Sequence, residues 1–215
     1  MSGKVSKPII TDGLVLALDA ANKKSYPGSG TVWNDLSGNN NTGTLTNGPT
    51  FDSSNNGSID FDGTDDFVEC SKISSTNFTN SVWMKVDSKD INGIISWTVG
   101  NVRRELLFIY GDITIVYGSS KYRRGPVISN GVWTNVAATY DGTTPLIYVN
   151  GVSQTLGSQL SAGGGGSNKC YIGRSAFATP YYFDGKMANV KIYNRALTST
   201  EVLQNYNATK DRFGL

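Results

Sequence analysis

Between residues 81 and 86 the side chains alternate. Val82, Met84 and Val86 fall on one face, and Ser81, Trp83 and Lys85 on the other, the period-two pattern of a strand. Similar patterning, rich in β-branched and aromatic residues, predicts strands at 14–19, 59–61, 67–70, 94–99, 105–110, 113–117, 133–140, 146–149, 170–174 and 186–193. The stretch GVWTNVAATYDGTTPLIYVNG (131–151) predicts a hairpin that turns at Asp141-Gly142, with Asn150-Gly151 supplying the next reversal. Nine Asn-Gly or Asp-Gly steps punctuate the chain, a frequency of reversal that suits an all-β fold. One helix is predicted after Thr198. Thr198 as N-cap with Glu201 three residues on forms a capping box, and Leu197 with Val202 forms a hydrophobic staple.

These elements predict an all-β, two-sheet antiparallel jelly-roll sandwich with one short C-terminal helix. Residues 1–12, with Lys4, Lys7 and Pro8, are expected to form an extended arm, and 13–215 a single domain. The polar excursion 22–51 and the glycine run 163–166 read as loops within it. Trp83 and Trp133 are expected in the core, Trp133 as the interior anchor of the hairpin.

Composition narrows the function classes. With 17% charged residues and a net charge of +2, global electrostatics favour neither nucleic acid nor an anionic membrane. No apolar run approaches the roughly 20 residues that cross a bilayer, and MSGKVSKPII lacks the apolar centre of a secretory signal. The expectation is therefore a chain that stays where it is made unless released by lysis or in an assembled particle, and its four Asn-x-Ser/Thr sequons weigh little. Cys70 and Cys170 are the only cysteines; they match no zinc spacing, and suit either reduced, partly buried thiols or a single bridge. With three glutamates in no paired pattern and no histidine, neither a two-carboxylate glycosidase centre nor a Ser-His or Cys-His pair is visible. On those grounds the expectation is no enzyme.

Four segments in order, IDFDGTDDFVEC, FTNSVWMKV, the 131–151 hairpin, and CYIGR followed by YYFDGKMANVKIYNRALTSTEV, resemble the laminin G-like, concanavalin A-like lectin/glucanase jelly rolls. The opening GLVLALDAANKKSYPGSGTVWNDLSGNNNTGTLTNGPTF resembles the subset found in tailed-phage structural proteins. The resemblance implies a virion surface protein, a capsid decoration or tail-associated subunit, with virion proteins or itself as partners. The arm or an open sheet edge would then dock on the particle. The alternative it implies is a lectin-like module, virion-borne or extracellular, that binds cell-surface glycans; a glycosidase relative is a third.

Within that resemblance, exposed aromatics flanked by hydrogen-bonding groups are the expected sugar platform. Trp97, Tyr110, Tyr117 and Tyr122, with Arg103 and Arg124 beside Arg104 and Arg123, are the candidates, for an acidic or neutral glycan. The competing reading places Trp97 and Tyr110 in the core and the arginines on a solvated rim. The acidic run at Asp60, Asp62, Asp65 and Asp66, with Asp184 as a second contributor, suits one structural calcium ion. It suits equally a set of turn caps, and Ala188 stands where the family often has Asp.

Overall fold

The computed structural model describes residues 7–87, 90–117, 121–161, 169–177 and 179–215. The glycine run 163–166 and the first half of the arm lie outside them. In chain order the strands are β1 (Leu14–Asp19), β2 (Val32–Trp33), β3 (Gly43–Thr46), β4 (Thr50–Asp52), β5 (Ser58–Asp62), β6 (Phe67–Cys70), β7 (Phe78–Val86), β8 (Asn92–Val99) and β9 (Val102–Ile109). They continue with β10 (Asp112–Tyr117), β11 (Lys121–Val127), β12 (Thr134–Tyr140), β13 (Pro145–Val149), β14 (Val152–Gln154), β15 (Leu160–Ser161), β16 (Cys170–Ile172) and β17 (Asp184–Tyr193), before helix α1 (Ser199–Asn207).

Two antiparallel sheets form a sandwich. One runs β14-β13-β12-β7-β17-β5-β4 with β1 also on β17; the other runs β15-β11-β10-β9-β8-β16-β6-β3-β2. Inward residues of both sheets merge in one core, including Val82, Met84, Trp97, Leu106, Phe108, Ile115, Val190 and Ile192. Burying such side chains contributes about 1.5–3 kcal/mol each, so this layer fixes which face of each strand is covered. Cys70 and Cys170 are opposed across β6 and β16. Both are buried free thiols, and burial raises both pKa values.

Three expectations are corrected, and the burial expected of Trp83 is present. The excursion 22–51, read as a loop, contains β2, β3 and the start of β4, because β6 and β5 supply partners for β3 and β4. Residues 121–127, KYRRGPV, were not expected as a strand, yet they form β11, because β10 supplies a pairing template along 112–117. Trp83 is buried on the outer side of its sheet, beneath the C-terminal segment, where it stacks on Tyr206 and Phe213. Trp133 precedes β12, is only half-buried, and donates its indole N–H to Asn55 Oδ1 at 3.0 Å; its ring tilts against Phe213 at 4.9 Å.

The capping box forms as the sequence implies. Thr198 Oγ1 accepts from the Glu201 amide, and Glu201 Oε2 accepts from the Thr198 amide. Leu197 and Val202 join Tyr148 and Tyr193 in a second apolar cluster, against which Ile9 and Ile10 of the arm pack. Residues 7–12 therefore lie along α1: Ile10 N–H donates to Asn205 Oδ1 at 2.8 Å, and Gln204 Nε2 donates to the Pro8 carbonyl at 2.7 Å. Arg195 forks onto Glu201 at 2.6 and 2.9 Å and holds its carboxyl down at about 2. A carboxyl lowered in the folded state stabilises above its unfolded pKa and loses that contribution as the pH falls through the folded one. Glu201→Gln is thus expected to cost about 1 kcal/mol at pH 7, after allowance for screening by water. The difference from wild type should close between about pH 4.5 and 2, as read by thermal unfolding across that range.

Candidate functional site

The outer face of the second sheet carries a built depression. Leu106 and Phe108 of β9 point into the core, so strand alternation turns Arg103, Glu105, Leu107 and Ile109 outward. Register brings Thr114 opposite Leu107 and Val116 opposite Glu105 on β10, then Tyr122 opposite Val116 and Arg124 opposite Thr114 on β11. Residues 173–177 and 179–183 cross this face. The crossing is pinned by Ser96 Oγ donating to the Arg174 carbonyl at 2.7 Å and by the Ala176 amide donating to Glu105 Oε1 at 2.6 Å. Phe177 comes to rest over Arg103, with the guanidinium carbon 3.8 Å from the ring centroid.

Between crossing and sheet lies a depression of about 180 Å³. Arg103, Leu107, Thr114 and Val116 form its floor, and Ile109, Tyr122 and Phe177 its walls. Arg103 and Glu105 form an ion pair at 2.9 Å, with both side chains almost wholly buried. Burial raises the Glu105 pKa, partly offset by the Arg103 charge and the Ala176 amide. Thr114 is fully buried, and its hydroxyl has no hydrogen-bond partner among the described residues. Aromatic walls, an aliphatic floor and one unsatisfied hydroxyl suit a small ligand with apolar faces and polar edges.

The structure divides the expected sugar platform. Trp97 is fully buried and meets Phe78 edge-on at 5.2 Å. Tyr117 is buried against Tyr140 at 5.1 Å and donates its hydroxyl to Gln159 Oε1 at 3.2 Å. Neither can stack on a sugar. Arg103 and Tyr122 line the depression, and Arg124 lies on the outward side of β11, its guanidinium 3.4 Å from Asp112. Arg104 is turned the other way, donating Nε to the Thr76 carbonyl.

Tyr110 is 67% exposed, with φ of 50° at the tip of the β9–β10 hairpin. Asn150, at φ 49°, takes the same conformation in the β13–β14 turn, and Asn is the residue type that tolerates it. An aromatic there is a locally strained choice next to Ile109 of the depression. Glu105, Thr114 and Phe177 were not among the sequence candidates. Alternation in VRRELLFI could have placed Glu105 beside Arg103 and Leu107, whereas Phe177 arrives only through the crossing segment.

The aspartates form a separate acidic depression of about 330 Å³, which Asn47, Thr50, Asp60, Asp62, Asp66 and Asp184 help to line. Pairing of β5 with β17 sets Asp62 opposite Asp184 and Asp60 opposite Lys186. Carboxylate oxygens of Asp62, Asp65 and Asp66 lie within 4.8 Å of one another. Asp62 Oδ1 caps the turn by accepting from the Thr64 amide at 2.8 Å, and Asp66 Oδ2 accepts from the Asp62 amide at 3.1 Å. Lys186 reaches Asp60, and Asp52 at 3.1 Å, so the Asp60 carboxylate already has a cationic partner. Burial, then neighbouring carboxylates, raise Asp66 and Asp184. Asp62, Asp65 and Asp66 could each offer an oxygen to a hard cation, and their mutual repulsion is what such a cation would relieve.

Two antiparallel sheets closed over one core, with a lined depression on an outer face, define a lectin-like β-sandwich. The family model described as Concanavalin A-like lectin/glucanases superfamily, Laminin_G_3, matches residues 61–203, and the chain belongs to that family. No curated protein matches it. Among solved structures, it is similar to domain 4 of AbnA, a GH43 extracellular arabinanase from Geobacillus stearothermophilus, in complex with arabinotriose. The TM-score is 0.68 at 20% identity, over 90% of this chain and 98% of that one. It is also similar to Trypanosoma rangeli sialidase, at TM-score 0.67 and 17% identity over 93% of this chain, which spans 33% of the sialidase chain. A third is the HCR/D W1238A mutant, at TM-score 0.67 and 14% identity, over 92% of this chain and 51% of that one. These likenesses show the fold. They also correct the expectation of no enzyme: solved structures that share this fold include a domain of an arabinanase and sialidase chains. Among the described residues no helix is long and apolar enough to cross a membrane.

Proposed function

We propose that this chain is a carbohydrate-binding module whose ligand enters the depression between the second sheet and the crossing that carries Phe177. The observation that carries the reading is the pairing of aromatic walls, Phe177 and Tyr122, with a floor where the Thr114 hydroxyl lacks a partner. The C–H face of a sugar ring stacks on aromatic carbon, and its hydroxyls supply hydrogen bonds at the edge. The fold's occurrence as domain 4 of an arabinanase, in complex with arabinotriose, supports the same reading. Such a module acts on an exposed surface, virion-borne or extracellular, where it meets cell-surface glycans; the virion placement rests on the resemblance of the opening segment. A glycan array with the wild type and Phe177→Ala tests it. We expect binding to a defined sugar class, reduced at least about tenfold, or 1.4 kcal/mol, in a variant with unchanged circular dichroism. Wild-type binding by Phe177→Ala would move the site elsewhere.

We further propose one structural calcium ion held by Asp62, Asp65 and Asp66. The expected result is a thermal midpoint that rises when calcium replaces chelator, an increment lost in Asp65→Asn. Asp65 is the variant of choice because its carboxylate, unlike those of Asp62 and Asp66, caps no backbone amide among the described residues. A midpoint indifferent to calcium would leave the aspartates as turn caps.

A further inference from the structure

We infer that the ligand of the outer-face depression is a neutral 6-deoxy sugar, seated with its methyl group on the aliphatic floor. The inference rests on the carbohydrate-binding reading and narrows it.

Charge comes first. Arg103 is the cation in the depression, and it is already matched by Glu105 at 2.9 Å, with both side chains sealed from water. The second Glu105 oxygen is taken by the Ala176 amide, and Phe177 covers the guanidinium. A sugar carboxylate brought to Arg103 would also meet Glu105, so the pair gives an acidic ring no net attraction. The site therefore differs from one built for an anionic sugar, even though sialidases share the fold.

The lining decides the rest. Leu107, Ile109 and Val116 present branched hydrocarbon, and the Thr114 hydroxyl is the buried polar group still wanting a partner. An ordinary hexose carries a hydroxymethyl group at C5. Set against hydrocarbon, that hydroxyl loses its water without replacement, whereas a methyl group at the same carbon gains from burial. One ring hydroxyl can pair with Thr114, and the remainder face the open side. The volume of about 180 Å³ is below the roughly 300 Å³ of drug-sized sites, so it takes a single ring.

Matched sugar pairs test this, because each pair differs only at C6: L-rhamnose against L-mannose, and L-fucose against L-galactose. Each is titrated by NMR into the full chain, with N-acetylneuraminic acid as the acidic probe and Phe177→Ala and Thr114→Val as variants. The expected result is that one 6-deoxy sugar binds at least about tenfold more tightly than its hydroxylated partner. Its methyl protons should receive the strongest saturation transfer, Thr114→Val should weaken it, and the acidic probe should bind no better than L-mannose. Equal affinity within both pairs, or preference for the hydroxylated or acidic sugar, overturns the inference. If Phe177→Ala still abolishes that binding, the carbohydrate-binding reading stands. Binding by none of the sugars, or binding indifferent to Phe177→Ala, overturns the inference and the reading together.

Discussion

Replacing Glu105 with alanine is expected to destabilise the protein by about 3–5 kcal/mol and to abolish ligand binding at the outer-face depression. Glu105 is fully buried and does two things at once. Oε2 accepts from Arg103 Nη1 at 2.9 Å, and Oε1 accepts from the Ala176 amide at 2.6 Å. Truncation leaves a buried guanidinium without that carboxylate, which is costlier than losing an exposed ion pair because water cannot replace it. It also frees the crossing at Ala176, so the Phe177 wall loses its anchor. Glu105→Gln can still accept from Ala176 but cannot neutralise Arg103, and should fall between alanine and wild type. The double substitution Arg103→Met with Glu105→Leu should recover most of the stability, since apolar replacement of a buried pair is often neutral or better, without restoring binding. Urea unfolding with a parallel sugar titration checks all three. A loss below about 1 kcal/mol in Glu105→Ala, the range of surface pairs, would show that the crossing is held by other contacts.

Trp83→Ala is expected to cost a further about 3–5 kcal/mol, by releasing the C-terminal segment from the opposite face of the sandwich. Trp83 is 1% exposed, its ring lies 4.1 Å from Phe213 and 5.7 Å from Tyr206, and its Nε1 donates to Thr209 Oγ1 at 2.8 Å. Arg212 closes the same segment onto Asp19 at 2.7 Å. Beneath it, burial lowers Lys191 to about 8. A lysine depressed in the folded state binds fewer protons there than in the unfolded chain, so the Lys191 contribution to stability should rise between about pH 8 and 10.5, against the opposite trend of the buried Cys70 and Cys170 thiols. Trp83→Ala opens this layer to water, and that rise should shrink with it. Trp83→Phe keeps the stacking and loses the indole donor, and should cost markedly less. Thermal unfolding at pH 7 and pH 10 reads both effects; an alanine variant within about 1 kcal/mol of wild type would mean that the segment is held by Arg212 and α1 alone.

The residues that could be read from sequence are those whose structure is set by near neighbours. The bounds of β1, the alternation within β7, the reversals at Asp141-Gly142 and Asn150-Gly151 and the Thr198–Glu201 capping box depend on local backbone preference and on hydrogen bonds spanning a few residues, and all are present; Asn92-Gly93 and Asp184-Gly185 instead lie inside β8 and β17. Short ordered motifs were enough to point to the family. Period two, however, says that a strand has two faces, not which face a distant segment will cover. Trp97 and Tyr117 were candidates for the sugar platform, with the core as the competing reading for Trp97; β8 and β10 are buried on both sides, and the register shift between Gly93 and Ile95 breaks the parity that would have placed Trp97. Trp83 was expected to be buried and is, but the residue that covers it is Phe213, from 130 positions later in the chain.

The depression depends even more on non-local pairing. Arg103 and Tyr122 were named from sequence, but Glu105 gains its role only when the crossing delivers the Ala176 amide, and Phe177 becomes a wall only through it. Sequence by itself determined strands such as β1 and β7, the turns at 141–142 and 150–151 and the helix start, because those follow from local backbone and side-chain chemistry, whereas β11 and the strands within 22–51 needed a pairing partner. Tertiary structure alone decided which faces are covered and where an ion pair and an unpartnered hydroxyl meet under an aromatic ring, because burial is a property of what packs on a residue, not of the residue.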